Sequence, residues 1–230
     1  MASGFLRLGT GLVCLGLMWG AMGCGSGGNA QVRVMHASPD EPEVNVLVDN
    51  NTVASNLAYG AATGYITVSS GSHTLQIEPT GTTSTIVSTS LSFASNSTST
   101  ILMANYASSL QTLVLTDNNT APSTNDFEVR LVNAAPSLQP VDGYIVPNGT
   151  SITGMTPAVK ALAFGSASSY VSLNAGTTTT QYVVYFTQAG TTSAYINTGA
   201  MTFSAGQIRT IVALNDPAGG YTSVTLHDLD

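Results

Sequence analysis

Few residues in this 230-residue chain have the chemistry that catalysis or metal binding requires. The three histidines lie far apart, without the short ligand spacings of zinc sites. The many serines and threonines occur outside the Gly-x-Ser-x-Gly and Ser-x-x-Lys patterns that activate a nucleophile, and no glycine-rich loop opens a helix. We therefore predict that the chain is not an enzyme and has no catalytic residue, no metal site and no cofactor. The histidines are His36, His73 and His227.

The densest polar cluster is the acidic sequence Asp40-Glu41-Pro42-Glu43, which Asp49 follows at a turn. Oxygen-rich loops of this kind can bind calcium. Two carboxylates about 5 to 10 Å apart could also hydrolyse a glycosidic bond. However, a later repeat of this region reads Ser137-Leu138-Gln139-Pro140, and the spacing is not that of an EF-hand. The favoured interpretation is a solvated acidic loop.

The overall composition excludes one class of partner. Only 7% of the residues are charged, and the formal net charge is −7. Nucleic-acid binding requires clustered lysine and arginine, whereas the basic residues here are few and scattered, so we predict no nucleic-acid partner. The solvent-facing positions must be mostly Thr, Ser, Asn, Gln and Gly. Such a surface is typical of an inert hydroxylated sheet, and also of a surface that contacts an extracellular glycan or an envelope protein.

The first 23 residues have the features of an export signal. Arg7 supplies a short basic region, and residues 12–19 form an apolar run too short to span a bilayer. Next comes Gly20-Ala21-Met22-Gly23-Cys24, which resembles a bacterial lipobox, where a cysteine is diacylated and becomes the first mature residue. We predict a signal peptide over 1–23, lipid attachment at Cys24 and a flexible tether over 24–30. The alternative is an ordinary secretory signal beside a cysteine.

The residue after the cysteine bears on localisation. Gly25 stands where many lipoproteins retained at the inner membrane have aspartate. By analogy, the sequence predicts a membrane-anchored protein of the bacterial cell envelope, in the outer membrane or at the cell surface. Its first partner would be membrane lipid, reached through the acyl chains on Cys24.

The remainder of the chain is a tandem duplication. Val32–Asp40 reads VRVMHASPD, and Val129–Ser137 reads VRLVNAAPS. Each unit is about a hundred residues long, whereas solenoid repeats are roughly 20 to 50, so each copy can bury its own core. We predict a first domain over 31–120 and a second over 126–230, with linker composition over 117–125. Other matched positions are Tyr59 with Phe164, Tyr65 with Tyr170, Arg33 with Arg130, and Asp117 with Asp228.

Short segments of alternating apolar and polar residues predict that both copies are all-β. Seven or eight strands in each copy fit an immunoglobulin-like Greek-key β-sandwich. The sequences at 49–52 and 147–150 contain Asn-Asn or Asn-Gly, which tolerates the positive φ of a tight hairpin. The predicted strands are 31–36, 44–48, 53–57, 64–69, 72–78, 84–93, 99–105 and 110–116, and then 128–133, 141–146, 151–153, 168–173, 179–187, 193–203, 207–214 and 221–227.

The matched charges and aromatic residues suggest structural roles. We predict that Arg33 and Arg130 each bind a carboxylate or carbonyl oxygens within their own domain. The matched aromatic residues are interpreted as core or corner residues rather than as platforms for a ligand. His36 has Asn133 as its counterpart, so we predict that any role of this histidine is not shared between the domains.

The repeated phrase, followed by Val44-Asn45-Val46-Leu47-Val48-Asp49, Tyr59-Gly60 and Tyr65, resembles the family called domain of unknown function 4397. The resemblance covers nearly all of residues 31–230. It implies tandem β-sandwiches in an exported bacterial protein, and it offers no catalytic residue to transfer. Three functions remain open: a non-enzymatic binding protein or structural spacer of the envelope, a glycan-binding or adhesion module, and an envelope enzyme of unrecognised type.

Overall fold

A computed structural model describes Met1 and residues 27–176 and 180–230. The signal peptide and Cys24 lie outside the described residues. Within the described ranges the chain consists of β-strands and one short 3-10 helix, Ala107–Ser109. No helix in this part of the chain is long and apolar enough to cross a membrane. The prediction of an all-β chain built from sandwiches is confirmed.

The first sandwich contains eight strands in two sheets. We call the sheet with strand order β4-β1-β7-β8 the first inner sheet, and the sheet with order β3-β2-β5-β6 the first outer sheet. Strands β1 and β7 are parallel, and the other neighbours are antiparallel. The strands are β1 (Asn29–Ala37), β2 (Val44–Val48), β3 (Asn51–Leu57), β4 (Ile66–Ser69), β5 (Gly71–Pro79), β6 (Val87–Phe93), β7 (Thr98–Ala104) and β8 (Gln111–Thr116).

The second sandwich repeats this arrangement with more interruptions. Its inner sheet has the order β12-β9-β17-β18, with β13 also paired to β9, and its outer sheet has the order β11-β10-β14-β15, with β16 paired to β14. The strands are β9 (Asp126–Asn133), β10 (Val141–Pro147), β11 (Val159–Leu162), β12 (Ser166–Ala167), β13 (Val171–Asn174), β14 (Gln181–Gln188), β15 (Ala194–Asn197), β16 (Met201–Thr202), β17 (Ile208–Asn215) and β18 (Tyr221–Leu229).

The four sheets form a stack with three apolar cores. One core lies within each sandwich, and a third joins the two inner sheets. Strand β1 shows the division, because Val32 and Val34 belong to the core of the first sandwich, whereas Met35 and Ala37 belong to the third core. Sheets that are covered on both faces read as continuous apolar runs. All seven residues of β7 are accordingly buried.

Of the two predicted tight hairpins, the one after β2 is present and the one after β10 is not, although both turns contain a residue with positive φ. Asp49 and Asn50 have φ of 50° and 64°, as a two-residue turn between β2 and β3 requires, and Gly149 has φ of 85° after β10. The predicted strand at 151–153 is wrong. Residues 148–158 form a loop, in which Pro157 lacks the N–H of a regular ladder, and the strand begins at Val159.

Several other boundaries differ from the predictions. The segment 193–203 is split into β15 and β16, because Gly199 between them has φ of 72°. The predicted strand 168–173 begins too early, because β13 begins at Val171 and is preceded by the separate short strand β12. The last two residues of the predicted tether are already part of β1, since Asn29 pairs with Ser69 and the apolar Ala30 is buried.

Candidate functional site: the interface between the two sandwiches

The third core is an interface between equivalent faces of the two halves. Because side chains alternate along a strand, the same positions of the repeated phrase face this interface in both copies. Such a contact resembles the two-fold interface of a homodimer, but it lies within one chain. Its buried members are Met35, Ala37, Leu102, Ala104 and Leu115 from the first sandwich, and Val132, Ala134, Val212, Leu214 and Leu226 from the second.

Two arginines exchange partners across this interface. The Nη2 atom of Arg33 lies 2.5 Å from Oδ1 of Asp228, and Nη2 of Arg130 lies 2.5 Å from Oδ1 of Asp117. The prediction that each arginine binds a carboxylate within its own domain is therefore wrong for the closest contact. Asp117, which is in the same half as Arg33, lies 3.9 Å from it, and Asp228, which is in the same half as Arg130, lies 3.8 Å from it. Each arginine instead extends from the interface face of its strand toward the opposite half.

Hydrogen bonds satisfy the buried charges. Arg33 Nε donates to Thr100 Oγ1 at 3.0 Å, and Arg33 Nη1 donates to the carbonyl oxygen of His227 at 2.9 Å. Thr100 Oγ1 in turn donates to Oδ2 of Asp117 at 2.6 Å. A buried charge is costly unless it is paired and hydrogen-bonded, and here two cations face two anions. The second half repeats these bonds with Arg130, Thr210, the Thr116 carbonyl and Asp228.

Matched tyrosines cover both arginines. The guanidinium carbon of Arg33 lies 4.6 Å from the ring centre of Tyr65, and that of Arg130 lies 4.7 Å from the ring centre of Tyr170. The Tyr65 hydroxyl donates to Asp117, and the Tyr170 hydroxyl donates to Asp228. Burial, together with these carboxylates, raises the pKa of both tyrosines, so the hydroxyls remain protonated donors. Both tyrosines thus contact the buried charges of the interface, and neither belongs to one of the three apolar cores.

The other matched aromatic pair is asymmetric. Tyr59 and Phe164 both pack against the third core. The Tyr59 hydroxyl also donates to the carbonyl oxygen of Asn215 in the second sandwich, at 2.8 Å. Burial raises the pKa of Tyr59 to about 12. Since Phe164 has no hydroxyl, this bond has no counterpart from the second half to the first.

Asp40 of the acidic loop, and Asp49 at the turn after it, form hydrogen bonds with other parts of the first sandwich. Asp40 Oδ1 accepts the backbone N–H of Ala107 at 2.8 Å. Asp49 accepts the N–H of Thr74 at 2.8 Å and lies 2.6 Å from Nδ1 of His73. Across residues 27–176 and 180–230, no three His, Cys, Asp or Glu side chains come together as a potential metal site. The calcium interpretation therefore has no support in the described residues.

His36 and Asn133 have equivalent structural roles, so the prediction that the histidine's role is not shared is wrong. His36 Nδ1 accepts the backbone N–H of Ser38, and its Nε2 lies 2.9 Å from the Pro42 carbonyl oxygen, to which it donates. Asn133 Oδ1 likewise accepts the N–H two residues onward, and its Nδ2 donates to a backbone carbonyl oxygen. An asparagine amide can replace this imidazole because each side chain has an acceptor atom and a separate donor atom.

Residues 30–144 match the family described as "Domain of unknown function (DUF4397)". The chain belongs to this family. The matched region covers the first sandwich, β9 and part of β10. No curated protein matches the chain. Among solved structures, one similar chain is a family 26 carbohydrate-binding module from Eubacterium rectale, crystallised with maltoheptaose. It is 8% identical, with a TM-score of 0.26, and the alignment covers 86% of this chain and 95% of the other.

His36 predicts a pH dependence for this family member. Burial lowers the pKa of His36 below the 6.5 of a free histidine, so the unfolded chain binds the proton more tightly than the folded chain does. The free energy of unfolding should therefore decrease as the pH falls below about 6.5. Urea unfolding at pH 7.5, 6 and 5 measures the decrease, which should be smaller in His36→Asn.

His73 provides the control because its effect has the opposite sign. Its hydrogen bond to Asp49 raises the pKa of His73. That contribution is fully present below about pH 6.5 and is lost as the pH rises through the raised pKa. His73→Asn should therefore leave the acid-side decrease in place. An equal acid sensitivity of the wild type and His36→Asn would contradict the role given to His36.

Proposed function

We propose that this chain is a non-enzymatic, lipid-anchored protein of the bacterial cell envelope, whose two sandwiches act as one rigid spacer or binding platform. The observation that carries the proposal is the interface between the two inner sheets. An ordinary tandem protein joins independent domains through a mobile linker, whereas here the halves share a core and exchange buried ion pairs.

Hinge motion between the halves would be costly. It would expose the third core to water and would leave two arginines and two aspartates without their closest partners. The connecting segment is also attached to both halves. Asn119 Nδ2 donates to Thr98 Oγ1 of the first sandwich at 2.8 Å, and Asn118 Nδ2 donates to Glu128 of the second at 3.0 Å. These contacts support a fixed arrangement of the two sandwiches.

The membrane anchor is the second part of the proposal. Strand β1 begins at Asn29, five residues after Cys24. A fully extended chain covers at most about 3.6 Å per residue, so the start of β1 would stay within roughly 18 Å of an acylated Cys24. Two acyl chains hold a protein stably at a membrane, whereas one chain does so only marginally. The same tether would keep the whole rigid body at the envelope surface.

Cleavage of the connecting segment tests the rigid body. A protease site inserted between Thr120 and Ala121, both exposed, allows the folded protein to be cut after purification. We expect the two fragments to co-elute at the size of the uncut chain in gel filtration, because the interface holds them without the covalent link. Separation of the fragments at micromolar concentration in native buffer would overturn the proposal of a single body.

The anchor is tested separately, by intact mass spectrometry of protein made with its own leader. We expect residues 24–230 plus acyl chains, and partitioning into the detergent phase. Cys24→Ser should abolish both, whereas Cys14→Ser, the matched control within the leader, should leave both unchanged. An unmodified wild-type product would overturn the lipid anchor.

A further inference from the structure

The two halves differ most in the connection after the second strand of each copy. In the first half, a two-residue turn joins β2 to β3, whereas in the second half the loop 148–158 joins β10 to β11. Met155 and Pro157 of this loop line a groove together with Tyr144, on the outward face of β10. Tyr144, Val146 and Val183 are buried, although they do not belong to the core of the second sandwich. The longer loop thus creates a feature that the first sandwich lacks.

Two adjacent grooves meet at strand β11. One, of about 430 Å³, is lined by Tyr144, Met155, Pro157 and Lys160. The other, of about 400 Å³, lies between β11 and residues 166–171. Both grooves include Lys160 and Ala161 in their walls. We call the two grooves together the β11 trough.

The chemistry of the trough is unusual for this chain. Lys160 is the only lysine in a sequence of net charge −7, and it is exposed. Within the described ranges Lys160 forms no salt bridge, and the hydroxyl groups of Tyr144, Ser166 and Ser169 form no hydrogen bond. The trough is therefore lined by an exposed ammonium group, two serine hydroxyls and the largely buried Tyr144, beside an apolar wall. Hydroxyl-rich ligands use such polar groups for orientation and apolar walls for contact.

Asp142 at the base of the trough is already satisfied. Its Oδ1 accepts the N–H of Ala161 at 2.8 Å, and its Oδ2 accepts the N–H of Gly190 at 2.7 Å. In the first sandwich, Asn45 accepts the N–H of Asn56 in the same way. The aspartate therefore supports a bulge common to both halves and leaves the ammonium group of Lys160 available to a ligand.

The backbone disfavours an extended peptide as the ligand. Peptides that bind a sheet edge need a regular ladder of free N–H and C=O groups. Strand β11 changes register against β10, and Ala161 has φ of 48°. The facing strands β12 and β13 are interrupted by residues 168–170. A ligand in the trough would therefore be bound by side chains rather than by a ladder of backbone hydrogen bonds, and such contacts suit a glycan.

We propose that the β11 trough binds an extended acidic glycan, with Lys160 pairing with a carboxylate of the sugar chain. The Tyr144 and serine hydroxyls hydrogen-bond its hydroxyl groups, and Met155 and Pro157 contact the apolar faces of its rings. The site is confined to the second sandwich, because the first has only the short turn. It does not depend on whether the two sandwiches form a rigid spacer.

Calorimetric titration of the full chain in detergent tests the site. The probes are an oligogalacturonate and a neutral galacto-oligosaccharide of the same length. We expect the acidic probe to bind at least about tenfold more tightly, and Lys160→Met to remove that difference, since a hydrogen bond between two charged groups is stronger than one between neutral groups. Tyr144→Phe, which removes only a hydroxyl, should weaken both probes several-fold. Equal binding of both probes, or of neither, would overturn the proposal.

A charge-matched variant separates the site from general electrostatic attraction. Ser55 is the first-sandwich counterpart of Lys160, because the residues that follow, Asn56 and Ala161, donate equivalent N–H bonds and both have positive φ. The double variant Lys160→Met/Ser55→Lys keeps the net charge but moves the lysine to the half without the trough. We expect it to bind as weakly as Lys160→Met alone. If the double variant bound the acidic probe as tightly as the wild type does, the net charge alone would explain the attraction, and the site would be refuted.

Discussion

Arg130→Met is expected to lower the free energy of unfolding by about 3–5 kcal/mol. The substitution leaves Asp117 buried without its closest cation, 2.5 Å away in the native protein. For a protein of this size, the melting temperature should fall by roughly 2–4 °C per kcal/mol, so a decrease of roughly 6–20 °C is expected. Urea unfolding followed by circular dichroism measures the change. The same substitution at Arg33 should give a similar loss, because the two halves make matching bonds.

A double-mutant cycle separates the ion pair from the packing of the arginine stem. Asp117→Asn removes the charge but keeps an acceptor for Thr100 and Tyr65. The double variant Arg130→Met/Asp117→Asn should cost less than the sum of the two single substitutions, because neither charge is then left alone. Additive losses would contradict direct pairing. Asp230→Asn is the control: its carboxylate also contacts an arginine, but it is largely exposed, so little change is expected.

Most strands were predictable because their signals are local. Alternating residues with turn residues between them placed β2, β5 and β7 to within a residue or two. The segment 151–153 was wrongly predicted as a strand because its local signal, the alternation in Ser-Ile-Thr, is that of a strand. Tertiary packing of the longer loop decides its conformation instead. Gly199 is a local signal for the break between β15 and β16, but the residues on both sides of it are typical of strands, so the sequence predicted one continuous strand.

The interface was harder to predict because its closest contacts join residues far apart in the sequence. Arg33 and Asp228 are separated by 195 positions, and a repeat cannot show whether equivalent residues pair within a copy or between copies. One signal was available. The phrase Val-Arg-Val-Met-His-Ala has apolar residues on both faces of a strand, which indicates a sheet covered on both sides. The trough had no comparable signal, because Lys160 lies outside the repeated positions.

Leu102→Ala is expected to cost about 2–5 kcal/mol, as much as Ile101→Ala on the same strand. Both side chains are fully buried, but they point to opposite faces of β7. Ile101 packs in the core of the first sandwich, and Leu102 packs in the third core. If the two sandwiches were independent, Leu102 would lie on a free surface and its replacement would change stability by less than about 0.5 kcal/mol.

The form of the unfolding curve provides a second readout from the same two variants. A shared core couples the halves, so Ile101→Ala should shift one cooperative transition of the whole chain rather than only the first of two transitions. Leu102→Ala weakens the coupling itself, so it should shift and also broaden that transition, while each sandwich keeps its own core. Two separate transitions in the wild type, with only one of them sensitive to Ile101→Ala, would contradict a common folding unit. A single transition sensitive to both substitutions would mean that the third core is as much a part of the native state as the other two.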